Sequence, residues 1–275
     1  MKLVKIPPPG TFCFYEAVLE LLKHVRLAEN TDGIVRFVEV GCGAGDLSAR
    51  LLNQGYQGAG VDFSSNAIAI ASKNLEEPIS KGHYQLLEGD IMQSENFSKF
   101  NKSFNLALSM MVMEHVEDDV QFVKNLAGLT LPSGMVMLAV PGRMDRWGLE
   151  DDTVGHLRRY ENHDLQRVME KAGLEDIVVW SVAVPVANLL FKLGNFLVKN
   201  SKEVKKVNSS MRKQTEMSGI REIPFKTVFP PLFKLILNRV TLYPFFVLQR
   251  FFYTSNLGLT MLAVGKVATK RHVAT

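Results

Sequence analysis

The run Val38-Glu39-Val40-Gly41-Cys42-Gly43-Ala44-Gly45-Asp46 restricts this chain more than any other feature. An apolar strand, Val35 to Val40, enters three glycines within five residues and leaves them in a helix, Asp46 to Gln54. That order sets backbone N–H groups and the positive end of a helix beside the strand's C-terminal edge. Glycine lets a ligand approach there because no Cβ stands in the way. The loop is not the dinucleotide fingerprint, since the third required glycine falls at Asp46. A second strand, Gly58 to Val61, runs into Asp62-Phe63-Ser64, where a carboxylate can accept both hydroxyls of a ribose. The alternative for Asp62 is a helix N-cap, a role that Ser64 or Ser65 also fits. Glu88-Gly89-Asp90-Ile91 repeats the design after a third strand, Tyr84 to Leu87. Asp90 is placed there to accept an adenine amino group with Ile91 against the ring, or else is an exposed turn aspartate.

Strands and helices alternate through the first two thirds of the chain, the pattern of an α/β fold around a mainly parallel sheet. Phe14 to Leu27 reads as an amphipathic opening helix, and Asn66 to Leu75 as a helix with Pro78 beyond its end. Phe104 to Met110 is a fourth strand, Asp118 to Leu129 a helix, and Met135 to Val140 a fifth strand. Asn162 to Lys171 is a helix closed by Gly173, followed by strands Ile177 to Val184 and Leu259 to Val264.

Between the last two strands the alternation stops. Val186 to Asn256 carries twelve Lys or Arg against three Glu, a net of +9 in a chain whose total is +4, which leaves −5 for the rest. Two apolar, helix-like pieces, Val186 to Val198 and Leu232 to Tyr253, flank a lysine-rich centre from Asn200 to Ser218. Pro230, Pro231, Lys234, Arg239, Pro244 and Arg250 break any run long enough to span a bilayer. The expected division is an N-terminal helical segment (1–30), a ligand-binding core (31–185), a basic amphipathic helical lid or lobe (186–256) and a final core strand with tail (257–275). Such a lobe suits closure over a greasy acceptor, contact with an anionic membrane surface, a homodimer contact, or simple capping of the sheet.

The segment before Gly10 lacks the apolar stretch of a secretory signal, so a cytoplasmic, possible membrane-peripheral protein is expected. Cys13 and Cys42 have no metal-ligand spacing and give no disulfide framework, and no metal is expected.

Taken together, Glu39-Val40-Gly41-Cys42-Gly43-Ala44-Gly45, Gly60-Val61-Asp62, Glu88-Gly89-Asp90 and the strand exit Ser109-Met110-Met111-Val112-Met113-Glu114-His115-Val116 resemble the class I S-adenosylmethionine-dependent methyltransferases. The likeness is to the branch with ubiquinone-biosynthesis and other small-molecule enzymes, and covers roughly residues 35 to 180 and the final strand. It implies a Rossmann-like, seven-stranded, mostly parallel sheet with an antiparallel last strand. It also implies that Glu39, Gly41 and Gly43 hold the methionine end of S-adenosylmethionine, Asp62 the ribose with Phe63 beside it, Asp90 and Ile91 the adenine, and Met110 and Met111 the pocket wall. Asn105 stands where the family usually has an acid, at a position not expected to touch the cofactor.

Methyl transfer from a sulfonium is an in-line displacement, which needs alignment and exclusion of water, and a general base only when the nucleophile is a hydroxyl or a protonated amine. His115, after the fourth strand, and His156, after the fifth, are the candidate bases; each has a structural alternative, loop orientation for His115 and helix capping for His156. Gly155-His156-Leu157-Arg158-Arg159-Tyr160 resembles a His-Leu-Arg-Arg-Tyr segment of small-molecule and sugar-directed members, with Arg158, Arg159 and Tyr160 as candidates for orienting an anionic or hydroxylated acceptor. His163 fits a helix start better than a site. The expected activity is transfer to a small or lipid-like acceptor, on oxygen ahead of nitrogen or carbon, with S-adenosylhomocysteine as product. Alternatives are a nucleic-acid methyltransferase and a non-catalytic cofactor-binding module. Against the first, the fourth strand exits into Ser109-Met110-Met111-Val112 and lacks the Pro-Pro-aromatic segment that grips a flipped adenine, so nucleic acid is not the expected partner.

Overall fold

The computed structural model describes residues 4–25, 27, 32–93, 97, 103–201 and 223–268. Along the chain run β1 (Val4–Lys5), α1 (Pro9–Val25), β2 (Arg36–Val40), α2 (Asp46–Leu52), β3 (Gln57–Asp62), α3 (Ser65–Asn74), α4 (Glu76–Ser80), β4 (Tyr84–Glu88) and β5 (Phe104–Met110). Then follow α5 (Asp119–Leu129), β6 (Thr130–Pro141), α6 (Leu149–Val154), α7 (Asn162–Lys171), β7 (Leu174–Val182), α8 (Val186–Lys199), β8 (Val228–Phe229), α9 (Arg239–Gln249) and β9 (Thr260–Val267).

Seven strands form one sheet in the order β4-β3-β2-β5-β6-β9-β7. The pairs β2–β3, β3–β4, β2–β5 and β5–β6 are parallel, and the sheet has an antiparallel strand near the C-terminus, as the sequence resemblance implies. Parallel strands covered on both faces read as continuous apolar runs rather than alternating ones. β5 shows this, with Phe104 to Ser109 all buried. Asn105 and Ser109 are polar exceptions inside it, and Asn105 ties β5 to β2. Its Oδ1 accepts the Arg36 backbone N–H at 2.7 Å, which supplies a partner at the start of β2.

The chain divides into two compact units. One consists of Val25–Ala139, His163–Val178 and Ala263–Thr275. Its helices follow the expected apolar spacing: α5 buries Phe122, Val123, Leu126 and Leu129, a single stripe on a 3.6-residue period. α5 is capped by Asp118, whose side chain accepts the Gln121 N–H at 2.9 Å. Pro78 lies beyond the end of α3, as expected. It sits in the first turn of α4, where a missing N–H removes no intrahelical bond.

The other unit consists of Met1–His24, Val140–Asn162 and Val179–Leu262. Its core joins Phe12 and Cys13 of α1, Ala183, Val186 at the start of α8, and Leu242 and Phe246 of α9. Buried Gln249 ties these segments together, donating to the Cys13 carbonyl at 2.9 Å and accepting from the Ala183 N–H at 2.9 Å. Trp180 stacks on Tyr253 with ring centroids 4.1 Å apart, and the Tyr253 hydroxyl donates to Glu20 at 2.8 Å. β1 pairs antiparallel with β8, a two-stranded sheet with no warning in the sequence. The apolar piece from Leu232 to Tyr253 is not one helix. A 3-10 turn, Pro231–Leu235, ends before Asn238, whose side chain caps α9 by accepting the N–H groups of Val240 at 2.9 Å and Thr241 at 3.2 Å. Most of the lysine-rich centre, from residue 202 to residue 218, lies outside the described residues. No described helix is long and apolar enough to cross a membrane.

Close approach dictates glycine at position 60. A Cβ there would stand 2.1 Å from the Tyr84 hydroxyl and 2.9 Å from the Cys42 sulfur, both buried. Gly60→Ala is therefore expected to destabilise the protein by about 1–3 kcal/mol through overpacking. Urea unfolding with an unchanged slope checks this.

Candidate active site

The strand order reverses between β2 and β5, and ligands of open parallel sheets bind beyond the strand ends at such a switch point. The glycine turn leaves β2 at that place. The Gly41 and Cys42 N–H groups both donate to the Val61 carbonyl, at 2.7 and 3.0 Å, and the Gly45 N–H closes the turn on the Cys42 carbonyl at 2.9 Å. Gly43 has φ +54°, and nothing lies within 4 Å of where its Cβ would be, so the turn offers an open cradle on that side.

Asp62, at the end of β3, is buried and holds the turn. Its Oδ2 accepts the Gly43 N–H at 2.8 Å, and its Oδ1 accepts the Ser64 N–H at 2.9 Å. The N-cap of α3 is Ser64, whose Oγ accepts the Ala67 N–H at 3.3 Å, so the capping alternative for Asp62 does not hold. A carboxylate has about four acceptor positions, and these backbone bonds use two of them. Phe63 beside it is half-buried.

Glu39 lies within β2 and is almost wholly buried. Ser48 of α2 donates to its Oε2 at 2.5 Å, and the Ser48 oxygen is 2.7 Å from the Tyr84 hydroxyl of β4. Burial, reinforced by Asp46 and Asp62, pushes the Glu39 carboxyl up to about 8 despite the Ser48 hydrogen bond. Burial likewise raises the Cys42 and Tyr84 groups, so neither is a nucleophile at neutral pH.

Asp90 follows β4 and is half-buried. Its Oδ1 accepts the Met92 N–H at 3.0 Å, so it forms the turn. Ile91 is buried, and its carbonyl accepts the Asn125 amide at 2.9 Å. Met110 is half-buried and Met111 exposed at the exit of β5, where Met111 takes φ +58° and its N–H donates to the Ala139 carbonyl at 2.8 Å. Glu114 is buried and His115 half-buried in the 3-10 turn Met113–His115. His163, in α7, is exposed and 3.1 Å from Asp164.

The acceptor-side candidates lie in the other unit around a residue that the sequence reading passed over. Asp151 of α6 is fully buried and accepts four hydrogen bonds: His156 Nδ1 at 2.7 Å, Arg159 Nε at 2.8 Å, Arg159 Nη2 at 3.0 Å and the Gly148 N–H at 2.8 Å. Burial opposes its ionisation, but the bonds from His156 and Arg159 prevail and hold the carboxyl at about 2. An ionised carboxylate only accepts, so His156 must donate from Nδ1, and the lone pair of its ring is on Nε2. His156 thus bonds back to α6 through Nδ1. Arg159 Nη1 donates to the Gly142 carbonyl at 2.9 Å. Each of the three guanidinium nitrogens thus makes a bond within the loop. Arg158 is half-buried. Tyr160 is buried, its N–H donating to the Pro141 carbonyl at 2.9 Å and its carbonyl accepting from Arg143 at 3.1 Å. The signal for Asp151 was present in the acidic run Glu150-Asp151-Asp152, five residues before His156.

Comparison with known proteins accords with this geometry. The sequence model of one family, described as a methyltransferase domain, matches residues 14–179. The mitochondrial ubiquinone biosynthesis O-methyltransferase of Arabidopsis thaliana is 30% identical over 113 residues, 41% of this chain and 34% of that protein. The ubiquinone biosynthesis O-methyltransferase of Coxiella burnetii is 31% identical over 129 residues, 46% of this chain and 53% of that protein. The matches thus span about a third to a half of these relatives. Among solved structures, phosphoethanolamine N-methyltransferase 2 of Haemonchus contortus, in complex with S-adenosylhomocysteine and phosphomonomethylethanolamine, superposes with a TM-score of 0.57 at 14% identity, over 93% of this chain and 53% of that one. That likeness is one of fold.

Asp151→Asn leaves the Arg159 guanidinium buried without its counter-charge, so a loss of about 3–5 kcal/mol is expected. The folded pKa of Asp151 is depressed, so its contribution is complete above the ordinary value of 3.8 and is lost as the pH falls towards about 2. The gap between wild type and variant in urea unfolding should therefore be full at neutral pH and close on acidification.

Proposed function

We propose, for a chain that belongs to the methyltransferase-domain family and uses S-adenosylmethionine as its cofactor, that the methyl group goes to a hydroxyl oxygen of a small or lipid-like acceptor. The observation that carries this reading is the Asp151–His156 pair. A hydroxyl is a poor nucleophile until it loses its proton, and an imidazole held in one tautomer by a buried carboxylate, with its lone pair on Nε2, is suited to take it. The two relatives named as ubiquinone biosynthesis O-methyltransferases support oxygen as the receiving atom and an apolar acceptor. Arg158, half-buried two residues past His156, has the role in this reading of orienting a polar or anionic group of that acceptor.

S-adenosylmethionine, when bound, supplies an electrophilic methyl group on a sulfonium. The residues around the glycine turn fit this ligand. Gly41 and Gly43 give the close approach, Asp62 the acceptors for the ribose hydroxyls, and Asp90 with Ile91 the adenine edge and face. Phe63, Met110 and Met111 make the apolar wall, and Glu39 receives the amino group of the methionine end. His115 is a second proton acceptor in this reading. A cytoplasmic site of action fits an acceptor made inside the cell.

His156→Gln keeps a hydrogen-bonding side chain but loses the base. Turnover of a hydroxylated acceptor is expected to fall by about 10²–10⁴-fold with S-adenosylhomocysteine affinity unchanged. Wild-type turnover in the variant overturns the assignment of the base.

Glu39 gives a pH test of the cofactor end. Its carboxyl is protonated below about 8, whereas an ammonium ligand prefers it ionised, so binding must expel a proton there. Titration calorimetry should show S-adenosylhomocysteine affinity rising from about pH 6 to about pH 8, by up to about tenfold per unit. Glu39→Gln should flatten the profile.

A further inference from the structure

We propose that the exposed apolar faces of α8, the Pro231–Leu235 turn and α9 dock on an anionic phospholipid bilayer. Leu189, Leu193 and Phe196 of α8 recur at i, i+4 and i+7 and so lie on one face, all exposed, while Val198 is fully buried on the opposite side. Lys192 and Lys199, each three residues past a member of that row, border it along one edge and are exposed. The pattern recurs in the second piece. Leu232 and Leu235 are each 71% exposed and Val240 is 83% exposed, while Leu242, Phe246 and Gln249 turn the other face of α9 into the core. Lys234 and Arg239 bracket Leu235 and Ile236, and all four are exposed. Phe251 extends the apolar set past the end of α9 at 80% exposure.

Large apolar side chains left in water on this scale mark a surface that meets something else. Charge identifies the partner. The described residues 186–201 and 223–256 contain six Lys or Arg and no Asp or Glu; Lys226, Arg239 and Arg250 pair with Glu150, Glu16 and Glu20, and Lys192, Lys199 and Lys234 are exposed beside the apolar rows. A protein groove receiving these helices would require only apolar complementarity. The interleaving of basic heads with bulky apolar groups, on helices too short and too interrupted to cross, is what lies in the headgroup region of a negatively charged membrane. The apolar groups enter the acyl boundary while the basic ones stay among the phosphates. This docking does not depend on which acceptor atom is methylated.

The test is flotation of the purified full chain with vesicles of phosphatidylcholine and phosphatidylglycerol, against vesicles of phosphatidylcholine alone. The comparison variant carries Leu232→Ser, Leu235→Ser and Val240→Ser, all at exposed positions, and its melting temperature, read first, should match wild type. Wild type is expected to float with the anionic vesicles, less with the neutral ones and less as salt is raised, and the variant to bind at least about tenfold more weakly. Wild type left unbound by anionic vesicles overturns the proposal, as does equal binding by the variant. A lipid-free dimer in sedimentation velocity that the variant converts to monomer, with no vesicle binding, also overturns it and assigns the face to a second copy of the chain. None of these readings uses methyl transfer, so they are independent of the outcome for His156.

Discussion

Between the ends of β2 and β3, a few backbone hydrogen bonds decide where a ligand can lie. Two consecutive N–H groups, those of Gly41 and Cys42, converge on the single carbonyl of Val61, which swings the chain out of β2 while keeping it at the sheet edge. Asp62 then fastens three starts at once. Its side chain takes the Gly43 and Ser64 N–H groups, and its carbonyl takes the Gly89 N–H at 2.9 Å as β4 ends. The turn, the approach to α3 and the Asp90 turn thus share one anchor. α2 begins directly after the turn, and the Ser48 hydroxyl in it donates to Glu39 of β2.

The seven-stranded sheet was legible because its strands are short, apolar and bounded by glycine or acid, and because the parallel order follows from helical crossovers. β5 and α5 lie within a residue of where their periodicity puts them. What escaped was decided by partners distant in sequence. β1 exists only because Val4 and Lys5 find Phe229 and Val228 more than two hundred residues away, and a two-residue strand has no period to detect. The break before α9 was hidden for a different reason: large apolar residues stand on both sides of it, and the helix start is marked by the side-chain cap of Asn238.

The site was legible to the same degree. Each residue of the glycine turn announces itself by a backbone requirement, so its place could be read from residue type alone. The His-Leu-Arg-Arg-Tyr segment drew attention as a row of polar groups facing an acceptor, yet its geometry is set by Asp151. Arg159 spends its guanidinium on that carboxylate and on the Gly142 carbonyl, and His156 gives it Nδ1. A buried acid with four donors could not be told by residue type from half-buried Glu150 or exposed Asp152, since burial is a property of packing rather than of type.

Glu39 and Asp151 make the electrostatic point most sharply, because both are carboxyls with almost no exposure and they behave in opposite ways. Glu39 has a hydroxyl for a partner and acids nearby, so burial dominates and its carboxyl rises from 4.5 to about 8. Asp151 has a guanidinium and an imidazole N–H, and these outweigh the same desolvation. The consequences for stability run in opposite directions. As pH rises, the folded state loses stability through Glu39 from about 4.5 until its carboxyl ionises near 8, whereas Asp151 contributes fully throughout that range. A fold that keeps a costly neutral acid beneath a glycine turn has an unmet demand for positive charge there, and a cationic ligand that ionises Glu39 returns that stability on binding. The ionised acid serves a different end: with its charge already balanced by Arg159, Asp151 fixes a tautomer without needing any ligand at all.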